Sequence, residues 1–283
     1  MADLKNSFNN ICSSRRWLKK IFMPLLSNSA VLYLPNFDLH IHYNPKDLRG
    51  PSFHLAYDQE VGFLNYEEHD REEILNSLPK DSIFIDIGAN IGLFSLYVAK
   101  QRPDVEILSF EPDTITRNCL NNSVTDNQFT NISIFSEAIG NHEGTHKLYK
   151  EISNDGGHTL VPNDSTSNLY EEIEVKRLRS ILTEEQIQNI GCVKIDVEGA
   201  ELEVVKGSLD ILSEFTPFIL IEVLNKNIGT DLCPLKYLTH HSTKPFVFRT
   251  PGSKMLYTYT EIEDIARKSN SPHSNYIVEF IKD

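Results

Sequence analysis

The chain has 283 residues, 40% of them hydrophobic, enough to bury a full core in one large domain or in a domain with extensions. Its formal net charge is −13, from 27 basic and 40 acidic residues, with no long basic run to offset it. That balance argues against tracking of a phosphate backbone as the main binding mode, so no nucleic acid partner is expected and a small, neutral or sugar-like acceptor fits better.

Residues 1–26 are rich in Asn and Ser and then turn basic, with Arg15, Arg16, Lys19 and Lys20 around Trp17, Ile21 and Phe22. The stretch reads as an amino-terminal helix packed on its own chain, with contact to a membrane surface as the alternative. It lacks the basic-then-apolar layout of a secretory signal. No apolar run reaches the ~20 residues of a membrane span, so a cytoplasmic protein is expected. From Val31 to Leu64, short apolar runs are split by Pro35, Pro45, Gly50 and Pro51, the pattern of a small β-rich lead-in. Residues 1–65 thus read as an amino-terminal extension and residues 66–283 as the main domain. Tyr66 to Leu78 has helical spacing, with its acids placed early, where the helix dipole favours them.

Ser82 to Leu96, SIFIDIGANIGLFSL, reads as a strand buried on both faces, a glycine turn and the start of a helix. This is the opening of a doubly wound α/β fold, whose ligand lies outside the carboxyl ends of the strands. A second buried strand, EILSF, ends at Glu111-Pro112, about twenty residues after the turn, where such folds keep the carboxylate that takes ribose hydroxyls. The turn is not the dinucleotide G-x-G-x-x-G, because Ala89 and Asn90 occupy the place of the second glycine. Asp86 beside it repels phosphate and suits an ammonium or sulfonium cofactor, which points to S-adenosylmethionine and away from a nicotinamide dehydrogenase.

Asn118 and Leu120 belong to the next helix, and Ile132 to Gly140 reads as a third strand, so the sheet is parallel. His146 to Lys150, Gly157 to Pro162 and Glu171 to Leu178 read as short strands of an insertion, either part of the acceptor pocket or a structural flap. Cys192 to Glu201 returns to the sheet, and the helix after it is expected to be capped by Gly207. Pro217 to Val223 is the fifth strand; Pro245 to Gly252 and Asn275 to Ile281 close the sheet. Cys12, Cys119, Cys192 and Cys233 are scattered, without a Cys-x-x-Cys pair, which argues against zinc or a disulfide framework.

Acids stand at the ends of successive strands: Asp86, Glu111, Glu137, Asp196 with Glu198, and Glu222. Any one of them could merely cap a helix, but the set converges on one crevice. The segments FIDIGANIG, FEP, AIG, KIDVEGAE and ILIEV, in that order, resemble the FkbM-type methyltransferases from about Tyr66 to the carboxyl terminus, KIDVEGAE being the most specific. The resemblance implies an α/β class I (Rossmann-like) methyltransferase fold. Its sheet is seven-stranded and mostly parallel with an antiparallel last strand, and the reaction is methyl transfer to a hydroxyl of a glycan or other small molecule. Carried over position by position, it implies that Asp86, Gly88, Ala89, Asn90 and Gly92 form the cofactor turn, Glu111 holds the ribose, and Glu137 and Ala138 meet the adenine edge. Asp196 and Glu198 then face the methyl group and the acceptor.

An alcohol is a poor nucleophile at neutral pH, so a base is needed within hydrogen-bond reach. Asp196 and Glu198 are the candidates, with His158 of the insertion as a further one; a Mg²⁺ or Ca²⁺ ion on the two carboxylates is the weaker alternative, and no metal is expected. An RNA or protein methyltransferase on the same fold and a catalytically silent cofactor-binding module are the rival functions.

Overall fold

The computed structural model describes residues 2–13, 15, 18, 21–65, 67–151, 154, 156–160 and 168–281. Arg16, Trp17, Lys19, Lys20, Tyr66, Val161 and Pro162, which enter the sequence readings, lie outside the described residues, as does the side chain of Cys12.

Helix α1 (Ala2–Ser13) packs on its own chain. The Asn6 amide donates to the Val31 carbonyl at 3.2 Å and accepts from its N–H at 3.0 Å. Strands β1 (Ala30–Leu34) and β2 (Leu39–Tyr43) pair antiparallel as a hairpin. The lead-in is only half β: helix α2 (Pro51–Asn65) follows. Proline suits its first turn, where an N–H would go unbonded anyway, and the Asp47 carboxylate accepts from Gly50 and Phe53 N–H at 3.0 and 2.8 Å. The hairpin and α2 bury Leu34, Ile41, Tyr43 and Phe63 in one cluster with Ile91, Leu96 and Leu120 of the main domain.

Helix α3 (Glu68–Ser77) leads into β3 (Ile83–Ile87), all five residues of which are buried. Helix α4 (Leu93–Gln101), β4 (Glu106–Phe110), α5 (Thr114–Asp126) and β5 (Ile132–Phe135) continue the alternation. The third strand stops sooner than its apolar pattern suggests. Beyond Ser136 and Glu137 the chain leaves the sheet, and β6 (Ala138–Ile139), β7 (Gly144–Tyr149) and β8 (Tyr170–Lys176) build a separate three-stranded sheet. Within the insertion, Gly157–Leu160 forms no strand; Thr159 makes a single bridge to Tyr149.

The short helix α6 (Glu184–Gln188), held by a Thr183–Gln186 capping box, precedes β9 (Ile190–Ile195). Helix α7 (Glu201–Phe215) runs unbroken through Gly207. Gly207 does not cap it: a Cβ there would stand 2.2 Å from the Gly140 carbonyl oxygen, so the glycine is needed for close packing, and the left-handed cap is Thr216. Strand β10 (Phe218–Leu224), helix α8 (Pro234–His241), β11 (Phe246–Arg249), helix α9 (Tyr259–Lys268) and β12 (His273–Phe280) complete the chain.

The main sheet has seven strands in the order β11-β12-β10-β9-β3-β4-β5. Only β12 runs antiparallel, pairing with β10 on one side and β11 on the other. That is the class I methyltransferase arrangement. The chain winds outward from β3 through β4 and β5, then restarts at β9 on the opposite side, so the strand order reverses between β3 and β9 and leaves a crevice at their carboxyl ends. Among the described residues, no helix is long and apolar enough to cross a membrane.

Candidate active site

The crevice is a cavity of about 370 Å³, lined from the ends of β3, β4, β9 and β10 and roofed by Arg49–Pro51 and the insertion residues Asn154, Gly156, His158 and Leu160. That volume lies within the ~300–1,000 Å³ range of small-ligand sites.

At one end the turn after β3 is tied to β4, since Gly88 and Ala89 N–H both donate to the Phe110 carbonyl at 3.0 Å. Glu111, 6% exposed, braces that turn: its carboxylate accepts from Asn90 N–H and from Asp113 N–H, each at 2.8 Å. A carboxylate offers about four lone-pair sites, and with the Thr116 side chain also bonding it Glu111 still keeps acceptor capacity toward the cavity. Burial, reinforced by Asp113, pushes its carboxyl up to about 7. Asp113 caps α5 by accepting from Ile115 and Thr116 N–H at 2.8 Å. Lys150 of the insertion bonds the same carboxylate, and His158 Nε2 stands 3.5 Å from it.

His158 lines the cavity; its Nδ1 accepts from Glu151 N–H at 3.1 Å, and its Nε2 lies at ion-pair distance from Asp113. Burial holds its pKa below the ordinary imidazole range despite Asp113. The ring thus ties the insertion to the loop after β4.

At the other end the arrangement is set by a buried lysine. Lys194, directly across from Asp86 in the β3–β9 register, reaches Asp86 Oδ1 at 3.5 Å, Asp196 Oδ2 at 3.2 Å and the Gly88 carbonyl at 3.3 Å. Burial alone would lower its pKa, but Asp196, Asp86 and Glu67 together hold it above the ordinary lysine range. Asp86 is fully buried, accepts from Ser95 Oγ at 2.6 Å, and is not part of the cavity wall. Asp86 thus stands outside the cavity wall; its charge is answered by Lys194, which itself lines the cavity, and Asp86 shapes the site by fixing that lysine.

Asp196, Glu198 and Glu222 bring carboxylate oxygens within 4.8 Å of one another, the one such group of acidic, His or Cys residues among the described residues. Such a group attracts a cation. Glu198 sits in a left-handed conformation at φ 53°, and its carbonyl accepts from the buried Thr159 hydroxyl at 2.7 Å. Glu222 accepts from His273 Nδ1 at 2.5 Å. Glu67, from the turn before α3, lines the same space. Burial, then the charge of Asp196, pushes Glu198 up to about 9 and Glu67 up to about 8, and raises Glu222 as well. The bond to Glu222 raises His273 to about 9.

Of the residues singled out in the sequence, Gly88, Ala89, Asn90, Glu111, Ala138, His158, Asp196 and Glu198 all line the cavity. Gly92 opens α4 beside it, and Glu137 turns away toward Lys176 at 4.0 Å. Sequence reasoning assigned no role to Glu67, Lys194 or His273. Lys194 carried a signal, a charged residue inside an apolar strand, whereas His273 lies before the recognisable part of β12 and is brought in by its pairing with Leu224.

A family model described as the Methyltransferase FkbM domain matches residues 86–240. Methyltransferase sdnD of Sordaria araneosa is 32% identical over a 161-residue alignment that covers 46% of this chain and 62% of that protein. The 31-O-demethyl-FK506 methyltransferase FkbM of Streptomyces tacrolimicus is 30% identical over 159 residues, covering 47% and 61%. The matched segment thus spans less than two thirds of either relative. The crystal structure of methyltransferase FkbM from Methylobacillus flagellatus KT superposes with a TM-score of 0.46 at 18% identity, covering 83% of this chain and 56% of that one.

Proposed function

The chain belongs to the FkbM methyltransferase family, and from that premise we propose that it transfers the methyl group of S-adenosylmethionine to a hydroxyl of a glycan or another hydroxylated small molecule. The observation that carries this reading is a single cavity with Glu111 at one end and the Asp196–Glu198–Glu222 group at the other. A nucleoside fits the first end, because Glu111 retains acceptor sites for ribose hydroxyls, with Ala138 and Ile139 beside it for the adenine. A sulfonium fits the second, where negative charge faces the cavity. The Streptomyces relative is named for 31-O-demethyl-FK506, which favours an oxygen acceptor.

S-adenosylmethionine supplies a methyl carbon already activated for displacement. The chain's part is to hold an acceptor oxygen in line with it, which at best contributes ~7–11 kcal/mol of barrier reduction, and to receive the hydroxyl proton. Asp196, held by Lys194, and Glu198, held through its carbonyl by Thr159, are placed to do the latter. His158, whose Nδ1 accepts from Glu151 N–H and whose Nε2 stands 3.5 Å from Asp113, braces the roof in this reading.

The test is transfer of labelled methyl from S-adenosylmethionine to a panel of sugars, glycans and hydroxylated small molecules, run beside RNA and protein acceptors. Label is expected in the hydroxylated compounds. Asp196→Asn is expected to lower that turnover by ~10²–10⁴-fold, a larger loss than in cofactor affinity. Label confined to RNA or protein would overturn the acceptor class. Cofactor binding without transfer to any acceptor would favour the silent module.

A further inference from the structure

The acceptor end of the cavity holds more acid than base. Asp196 and Glu198 come from the loop after β9, Glu222 from β10, and Glu67 from the turn before α3. Behind them lie Glu201 in the first turn of α7, its carboxylate accepting from Gly199 N–H at 2.7 Å, and the buried Asp70 of α3, which bonds Asn275 of β12. Fewer basic groups face this set: Arg71 of α3 stands toward Glu67, His69 toward Asp70, and Lys194 and His273 toward the other acids. Lys194 is already divided between Asp86 and Asp196, and His273 is bound to Glu222. Carboxylates with oxygens within 4.8 Å of one another on a partly buried wall repel one another when ionised, which favours keeping a proton among them. Before a ligand enters, the cluster therefore holds at least one proton that isolated groups would have lost at neutral pH.

We propose that the Glu198–Glu222–His273 cluster gives up a proton to solvent when the sulfonium of S-adenosylmethionine enters, and takes one back from the acceptor during methyl transfer. The inference rests on the cofactor reading above and deepens it by specifying how the site distinguishes methyl donor from demethylated product. The balance closes. The acceptor oxygen forms its bond to the methyl carbon, the carbon–sulfur bond breaks with its electron pair going to sulfur, and the hydroxyl proton passes to the group left vacant on binding. Sulfur is then neutral, so the cluster ends the turnover protonated around a thioether it has no charge reason to retain. The elevated values of Glu198 and His273, both near 9, place the exchange in the neutral to mildly alkaline range. Glu67, Glu201 and Asp70 also titrate high, at about 8, 7 and 6, and they share in whatever proton is released.

The sign is fixed by linkage. A cation that binds with release of a proton binds more tightly as pH rises, by up to about tenfold per pH unit for one proton, until the cluster has emptied. S-adenosylhomocysteine carries every other ionisable group of the donor but no sulfonium, so its affinity follows pH without that contribution. The experiment is calorimetric titration of the full chain with each compound in phosphate and in Tris, buffers of different ionisation enthalpy. S-adenosylmethionine is expected to expel close to one proton more than S-adenosylhomocysteine near neutral pH, and its preference over the product to widen by up to about tenfold from pH 7 to 8. Glu198→Gln is expected to remove most of this difference, and Glu185→Gln, an exposed residue of α6, to leave it intact. Equal proton counts for the two compounds would overturn the proposal while leaving the cofactor reading standing. A folded protein that binds neither compound would overturn both.

Discussion

Gly88→Ala is expected to abolish measurable S-adenosylmethionine binding and to cost at least about 3 kcal/mol of stability. Two separate constraints meet at this residue. Its φ of 78° lies where only glycine is unstrained, and a Cβ built there would stand 1.8 Å from the Asp196 carbonyl oxygen. The obstacle is backbone. Asp196 N–H is itself tied to the Ile87 carbonyl at 3.1 Å, so β3 and β9 are locked together at the point of contact. Relief would require the two strand ends to part, carrying Asp196 and Glu198 away from the turn and moving the Gly88 carbonyl that Lys194 bonds at 3.3 Å. Denaturant melts and a cofactor titration of the purified variant give the answer. Near-wild-type values in both would mean that the close approach of the strand ends is dispensable.

Glu111→Ala is expected to weaken S-adenosylmethionine binding by ~100-fold or more, the loss of about two charge-assisted hydrogen bonds at ~1.5–3 kcal/mol each. The variant also strands the N–H groups of Asn90 and Asp113, both of which the carboxylate now satisfies at 2.8 Å. A stability loss of ~1–3 kcal/mol for each buried group left without a partner is the upper bound, since cavity water can reach this wall. Glu111→Gln separates the two roles. Its amide oxygen still serves one N–H, so stability recovers in part, while the missing charge still weakens the hold on ribose hydroxyls. Wild-type cofactor affinity in the alanine variant would remove Glu111 from the binding site and leave it as a brace between two loops.

The parallel half of the fold was legible because its strands are short apolar runs, the central ones β3, β4 and β9 largely buried on both faces, and because glycines and acids mark where strands end. The third strand was read too long. Phe135 and Ile139 are both apolar, and nothing in the local pattern shows that the chain changes sheets between them. Gly207 reads as a cap because glycine accepts the left-handed conformation of a helix end; its packing against Gly140 is a tertiary contact that no local pattern contains. Half of the amino-terminal lead-in is helical: Pro35 and Pro45 follow the ends of β1 and β2 as strand breaks do, but Pro51 marks a helix start.

The site divides in the same way. The turn after β3, Glu111, Asp196 and Glu198 line the cavity, as their strand-end positions imply. Asp86 shows where that rule fails, since position at the end of a buried strand does not say which neighbour a side chain meets, and here it meets Lys194 across the register. His273 and Glu67 could not be assigned, because each reaches the cavity from a different part of the chain. Their proximity to Asp196 and Glu222 exists only after α3 and β12 have packed.

The account stands most directly on one measurement: calorimetric titration of the purified chain with S-adenosylmethionine and, separately, with NAD. Saturable binding of the first alone is the predicted result, since the Glu111 end of the cavity suits a nucleoside and the acidic end suits a sulfonium. A folded sample that binds NAD, or that binds neither, would contradict the assignment of this cavity.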